Sequence, residues 1–168
     1  MDTNHDTKKL FMYAILCLSL AVGLSSGVFS NYFKEVFAVD SVQRGLLEIP
    51  RETPGILCVV ILTALSGLGN LSLMVMAYGF CTLGLAVLGL LSPSYFIMQI
   101  FLFSFSLGEH MMMPLRDSIA MDLSGEGKTG TFLGQLKGKM TLASMTASAA
   151  VFIGYRTGLF WFGDGVIP

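Results

Sequence analysis

Two groups of ionisable residues sit in otherwise apolar surroundings, and these are the places where this sequence could do chemistry. The first is Glu48, Arg51 and Glu52. Spacings of three and four residues put all three on one face of a helix. An arginine between two glutamates neutralises one carboxylate and leaves a second whose charge depends on protonation. Pro50 and Pro54 lie in the same stretch; they remove backbone donors, bend a helix and free carbonyls. The triad is a candidate for gating or coupling, and the plainer alternative is an ion pair fixing one helix end at the headgroups.

The second group is Glu109 and His110, with Arg116 and Asp117 two turns further on. Glu109 and Arg116 are seven apart, as are His110 and Asp117, so each pair shares nearly one helical face. Burial disfavours a charged carboxylate, and a neighbouring imidazolium or guanidinium favours it. A carboxylate held between those influences can take up and release a proton, and histidine suits the same work near neutral pH. Glu109 and His110 are therefore candidates for substrate or proton handling, against the plainer reading of a hydrogen-bonded pair that locks packing. Arg116 and Asp117 form a polar pair at the cytoplasmic end and read as interfacial anchors. Asn31 is a further candidate for solute contact, or else a helix-end cap.

Other residues carry less. Met111, Met112 and Met113 are consecutive and so point around the whole helix, which suits apolar filling better than a soft-metal path. Cys17, Cys58 and Cys81 lie in separate apolar runs without a CxxC pair, so no metal site or disulfide framework is expected. His110 and Glu109 are too few for a catalytic zinc, which takes three protein ligands. No nucleotide-binding motif or serine-histidine constellation is visible, so no cofactor and no enzymatic activity are expected.

The elements that must position these groups follow from composition. Of 168 residues 54% are apolar and 12% charged, with mean hydropathy +0.72. Soluble domains carry about a quarter charged residues. Between Thr53 and Gly108 there is no charge at all, a bareness that suits hydrocarbon rather than water. A net charge of -1 gives no basis for nucleic-acid binding. The fold expected is all-α and membrane-embedded, with the lipid bilayer as its first partner.

Five transmembrane helices are expected, at about 10–33, 45–68, 71–91, 95–121 and 132–154, each near the 20 residues a span needs. A polar tail, residues 1–9, precedes them. A signal peptide would open in the same way, but the apolar character continues through Val28, Phe29, Tyr32 and Phe33. Ser92-Pro93-Ser94 reads as a tight turn between the third and fourth helices. Trp161 and Phe162, beside Phe160 and Tyr155, read as a headgroup-level aromatic cluster. The second helix must run back through Glu48, Arg51 and Glu52 to reach spanning length. Lys8, Lys9, Arg116, Lys128, Lys137 and Lys139 then share one side, which predicts a cytoplasmic N-terminus in the cell membrane. Gly130, Gly134 and Gly138 open the fifth helix at four-residue spacing, and Ala143, Ser144, Ala147 and Ser148 continue the pattern. Small residues in such a register let a neighbouring backbone approach closely.

This order of parts resembles the N-terminal half of major facilitator superfamily (MFS) transporters, over essentially the whole chain. Gly108 followed by Pro114 looks like the family's fourth-helix pattern, and Gly125-Glu126-Gly127-Lys128-Thr129-Gly130 its entry to helix five. The loop after helix two departs from the family's G-x-x-x-D-R-x-G-R-K. It reads Gly67-Leu68-Gly69-Asn70-Leu71-Ser72, with asparagine in place of aspartate and no basic residue after it. The family's arginine before the fourth-helix glycine is also missing between Phe103 and Leu107.

The resemblance implies most of a six-helix bundle. Helices one and four would face a central cavity, and two and five would line the contact between halves. It implies secondary active transport of a small solute by alternating access, with proton coupling as one option. Residues 164–168 fall where a sixth helix would begin, so a truncated chain is expected, with a missing C-terminal half or a second membrane subunit as partner. The competing expectation is a non-transporting membrane subunit that docks a partner protein through the small-residue face of helix five.

Overall fold

The computed structural model describes residues 3–91 and 94–160, with side chains from residue 6 onward. The described residues are helical apart from turns and loops. The helices are α1 (Thr3–Glu35), α2 (Ser41–Ala64), α3 (Asn70–Leu90), α4 (Tyr95–Ser124) and α5 (Thr129–Arg156), with a 3₁₀ turn at Ser66–Leu68 between α2 and α3. Each of the five expected segments is a helix. Three of them, in the ranges Asp6–Glu35, Asn70–Leu90 and Tyr95–Ser124, are long and apolar enough to cross a membrane. In α2 the charges of Glu48, Arg51 and Glu52 weigh against the apolar half, and α5 is diluted by lysines, glycines and hydroxyl residues. The 164–168 tail, Trp161, Phe162 and the Ser92-Pro93 part of the expected turn lie outside the described residues.

The helix ends moved for local reasons. α2 begins at Ser41, four residues before the expected start, because Asp40 and Gln43 form a capping box. The Asp40 Oδ1 accepts from the Gln43 N–H at 2.8 Å, and the Gln43 Oε1 accepts from the Asp40 N–H at 3.1 Å. Two orphan amide donors are satisfied at once. At its other end α2 stops at Ala64 and tightens into the 3₁₀ turn. Gly69 then adopts φ 76° and ψ 152°, which reverses the chain into α3. A side chain there would be strained, so the glycine is required by the turn.

The described chain divides into two compact units. In one, α1 packs along α5. A Cβ on Gly23 would lie 2.9 Å from the Ala147 Cβ, and one on Gly27 would lie 3.1 Å from Val151. The Ser148 hydroxyl donates to the Gly23 carbonyl at 3.1 Å. Residue numbers rise together along both helices, so the pair is parallel. The small residues Gly23, Ser144, Ala147 and Ser148 let the two backbones approach closely.

The second unit holds α2, α3 and most of α4. Here α3 and α4 are antiparallel: Gly84 lies against Phe101 and Phe105, Gly108 against Ala77 and Cys81. Ser104 donates to the Phe80 carbonyl at 3.2 Å, and Cys81 to that of Phe105 at 3.4 Å. At the far end Asn70 Nδ2 donates to Ser118 Oγ at 2.9 Å. Met98, Leu102 and Met111 are fully buried and Met112 nearly so, whereas Met113 is 45% exposed, so the expected filling role fits Met111 and Met112 and not Met113. Ile56, Val59, Val60, Leu71 and Val75 are all at least 65% exposed. Side chains this large, in helices this apolar, suit contact with lipid tails.

Candidate functional site

α2 presents Glu48, Arg51, Glu52 and Gly55 at spacings that place them along one stripe. The Arg51 guanidinium reaches Glu48 Oε1 at 3.1 Å and Glu52 Oε1 at 3.8 Å. All three side chains are about half exposed. In contact with water each such pair contributes ~0–1 kcal/mol, so the triad does not hold the fold together. Its consequence is a fixed arrangement of charge.

α4 runs parallel to α2 and brings Ser106 and His110, one turn apart, against this stripe. The Ser106 hydroxyl donates across to the Arg51 carbonyl. That carbonyl lies next to the one, on Pro50, whose helical donor Pro54 has removed. Gly55 faces the His110 ring: a Cβ there would lie 2.9 Å from Cδ2 and 3.0 Å from Nε2. Glycine is what allows the imidazole to settle on α2. His110 Nε2 then stands 3.8 Å from Glu52 Oε2.

The hydrogen bonds assign the proton on the neutral ring. His110 Nδ1 lies 2.9 Å from the Ser106 carbonyl oxygen and 3.1 Å from the Ser106 hydroxyl. A carbonyl only accepts. The Ser106 hydroxyl proton is already directed at Arg51. Nδ1 must therefore be the donor, which leaves Nε2 as the bare nitrogen facing Glu52.

Glu109 follows from the turn of α4. Gly108 faces α3 and His110 faces α2, and successive residues step about 100° around a helix. Glu109 thus sits between the two faces. It is half-buried, and it interacts electrostatically with His110, Arg51 and Glu52, while its charge also reaches Cys81 of α3. Among the described residues no hydrogen bond or ion pair engages its carboxylate.

The two groups read separately in the sequence are thus one cluster: Glu48, Arg51 and Glu52 from α2, Glu109 and His110 from α4. Ser106 and Gly55 were missed by sequence reasoning. Each carries a signal, Ser106 one helical turn before His110 and Gly55 one turn after Arg51. The other candidates lie elsewhere. Asn31 belongs to the α1–α5 unit and hydrogen-bonds the Tyr155 side chain. Arg116 Nε pairs with Asp117 Oδ1 at 2.9 Å, toward the end of α4. A Cβ on Gly130, Gly134 or Gly138 would meet nothing within 4 Å. The close approaches on α5 occur instead around Ser144, Ala147 and Val151. No group of three or more metal-ligating side chains is present among the described residues. Comparison of the chain with protein-family models, with curated proteins and with solved structures returned no match.

Proposed function

We propose that this chain is part of a secondary transporter of the cell membrane, similar in layout to the N-terminal half of MFS transporters. It would move a small solute by alternating access, with a cytoplasmic N-terminus and five membrane-crossing helices. The observation that carries this reading is Glu109: a half-buried carboxylate without a hydrogen-bond partner among the described residues, beside His110 and the Glu48–Arg51–Glu52 triad. Ionisable groups are expensive within membrane helices and mark solute or ion paths. The parallel α1–α5 pair and the antiparallel α3–α4 hairpin also suit a bundle of this kind. In this role Glu109 and His110 handle solute or proton, and the α2 triad gates or couples. The opposing half would come from a further segment or a second membrane subunit.

The open face at Gly130, Gly134 and Gly138 favours a second reading, a membrane subunit that docks a partner and transports nothing. Flux separates the two. Native membrane vesicles that hold the chain together with whatever supplies the opposing half are loaded with a pH-sensitive dye, and radiolabelled sugars, amino acids and organic acids are presented one class at a time. Transport predicts solute-dependent proton movement that Glu109→Leu abolishes while insertion is unchanged. No flux from either form, across every class and with insertion intact, would sink the transport reading.

A further inference from the structure

We propose that the ion handled by this cluster is a proton taken up on Nε2 of His110, and that its uptake fastens α4 to α2 through Glu52. The proposal deepens the reading of the cluster as the working site and rests on it. The geometry is specific to one atom. Nδ1 is committed as a donor to the Ser106 carbonyl at 2.9 Å, so Nε2 is the ring position left to accept a proton. Glu52 Oε2 stands 3.8 Å from that nitrogen. On the neutral ring this is a lone pair facing a carboxylate, which offers no bond between the helices. With a proton on Nε2 the same atoms become an imidazolium–carboxylate pair, which a small closure would turn into a charge-assisted hydrogen bond.

The surroundings set the balance. On α2, Glu52 favours the imidazolium, and Arg51, 3.8 Å from the other Glu52 oxygen and paired on its far side with Glu48, competes for Glu52. On α4, Glu109 is the adjacent carboxylate, and it interacts electrostatically with His110, Arg51 and Glu52. α3 adds Cys81 on the Glu109 side. Gly55 gives the ring its clearance, and the Ser106 hydroxyl ties α4 to the proline-opened turn of α2. Together these make α2 and α4 a pair whose attachment depends on one proton.

Solid-state nitrogen NMR of the full chain in lipid vesicles tests this directly. Histidines are labelled with nitrogen-15, and the other histidine is removed by His5→Gln. The expected neutral His110 carries its proton on Nδ1, and acidification places a second proton on Nε2. Glu52→Gln lowers the proton affinity of His110 by about fivefold, the effect of one charge near 4 Å under water-like screening. Arg51→Gln raises it. A neutral ring protonated on Nε2 would overturn the proposal, as would an affinity that stays within about twofold in both variants. The readout needs no solute, so the latch can fail here while transport stands, and the reverse.

Discussion

Replacing Gly108 by alanine puts a methyl group where α4 meets the backbone of α3. The new Cβ would sit against the Ala77 carbonyl oxygen, 2.7 Å from the Cys81 amide nitrogen and 2.8 Å from Cys81 Sγ. Two of those neighbours are backbone atoms of a regular helix and cannot swing aside, so the helices must separate. Overpacking of this kind costs about 1–3 kcal/mol. Alanine recovers about 0.5–1 kcal/mol over glycine in a helix interior. The net expectation is a loss of about 0–2.5 kcal/mol. Gly79, on α3, is the matched control, because a Cβ there meets nothing within 4 Å. Gly79→Ala should show the propensity gain alone. Equilibrium unfolding from mild detergent into dodecyl sulfate, followed by circular dichroism, would read both. A separation of about 1.4 kcal/mol is tenfold in the equilibrium constant, well within what the titration resolves. Equal stabilities for the two variants would refute the α3–α4 register and the role given to Gly108.

Two further changes test other parts of the structure. Asp40→Ala removes half of the capping box and should cost about 0.5–2 kcal/mol, seen as faster amide exchange at Gln43 and Arg44 while the α3–α4 hairpin stays protected; unchanged exchange would show that α2 does not start there. Gly55→Ala should displace the His110 ring with little loss of stability, since the far end of a side chain can move where a backbone cannot, and it should lower the proton affinity of His110 as Glu52→Gln does. An unaltered affinity would mean that the ring is not seated on Gly55.

Much of the architecture was legible because it is written locally. Helix existence follows from long apolar runs, and the α3–α4 hairpin from the break after Leu91. The α2 start was also legible, since Asp40 and Gln43 stand at capping-box spacing, yet the length needed for a span placed it at Gly45. The lysines, glycines and hydroxyl residues of α5 mark it as less apolar than α3, so the number of helices and the number apolar enough to cross differ. The grouping of Glu48, Arg51 and Glu52 on one face needed only the helical repeat.

What the sequence by itself determined is therefore which segments are helices, that some are apolar enough to cross a membrane, and which ionisable residues the helices carry. It did not determine which of those residues meet. His110 and Glu52 are joined by the parallel register of α2 and α4, and that register is set by the clearance at Gly55 and the Ser106 tie to Arg51. The glycines teach the same lesson. Gly130, Gly134 and Gly138 have the regular spacing, yet they stand open, whereas Gly23, Gly84 and Gly108 take the close contacts. A glycine becomes a contact only when another helix arrives on its face. That arrival depends on the packing of side chains distant in the chain, which no local pattern specifies.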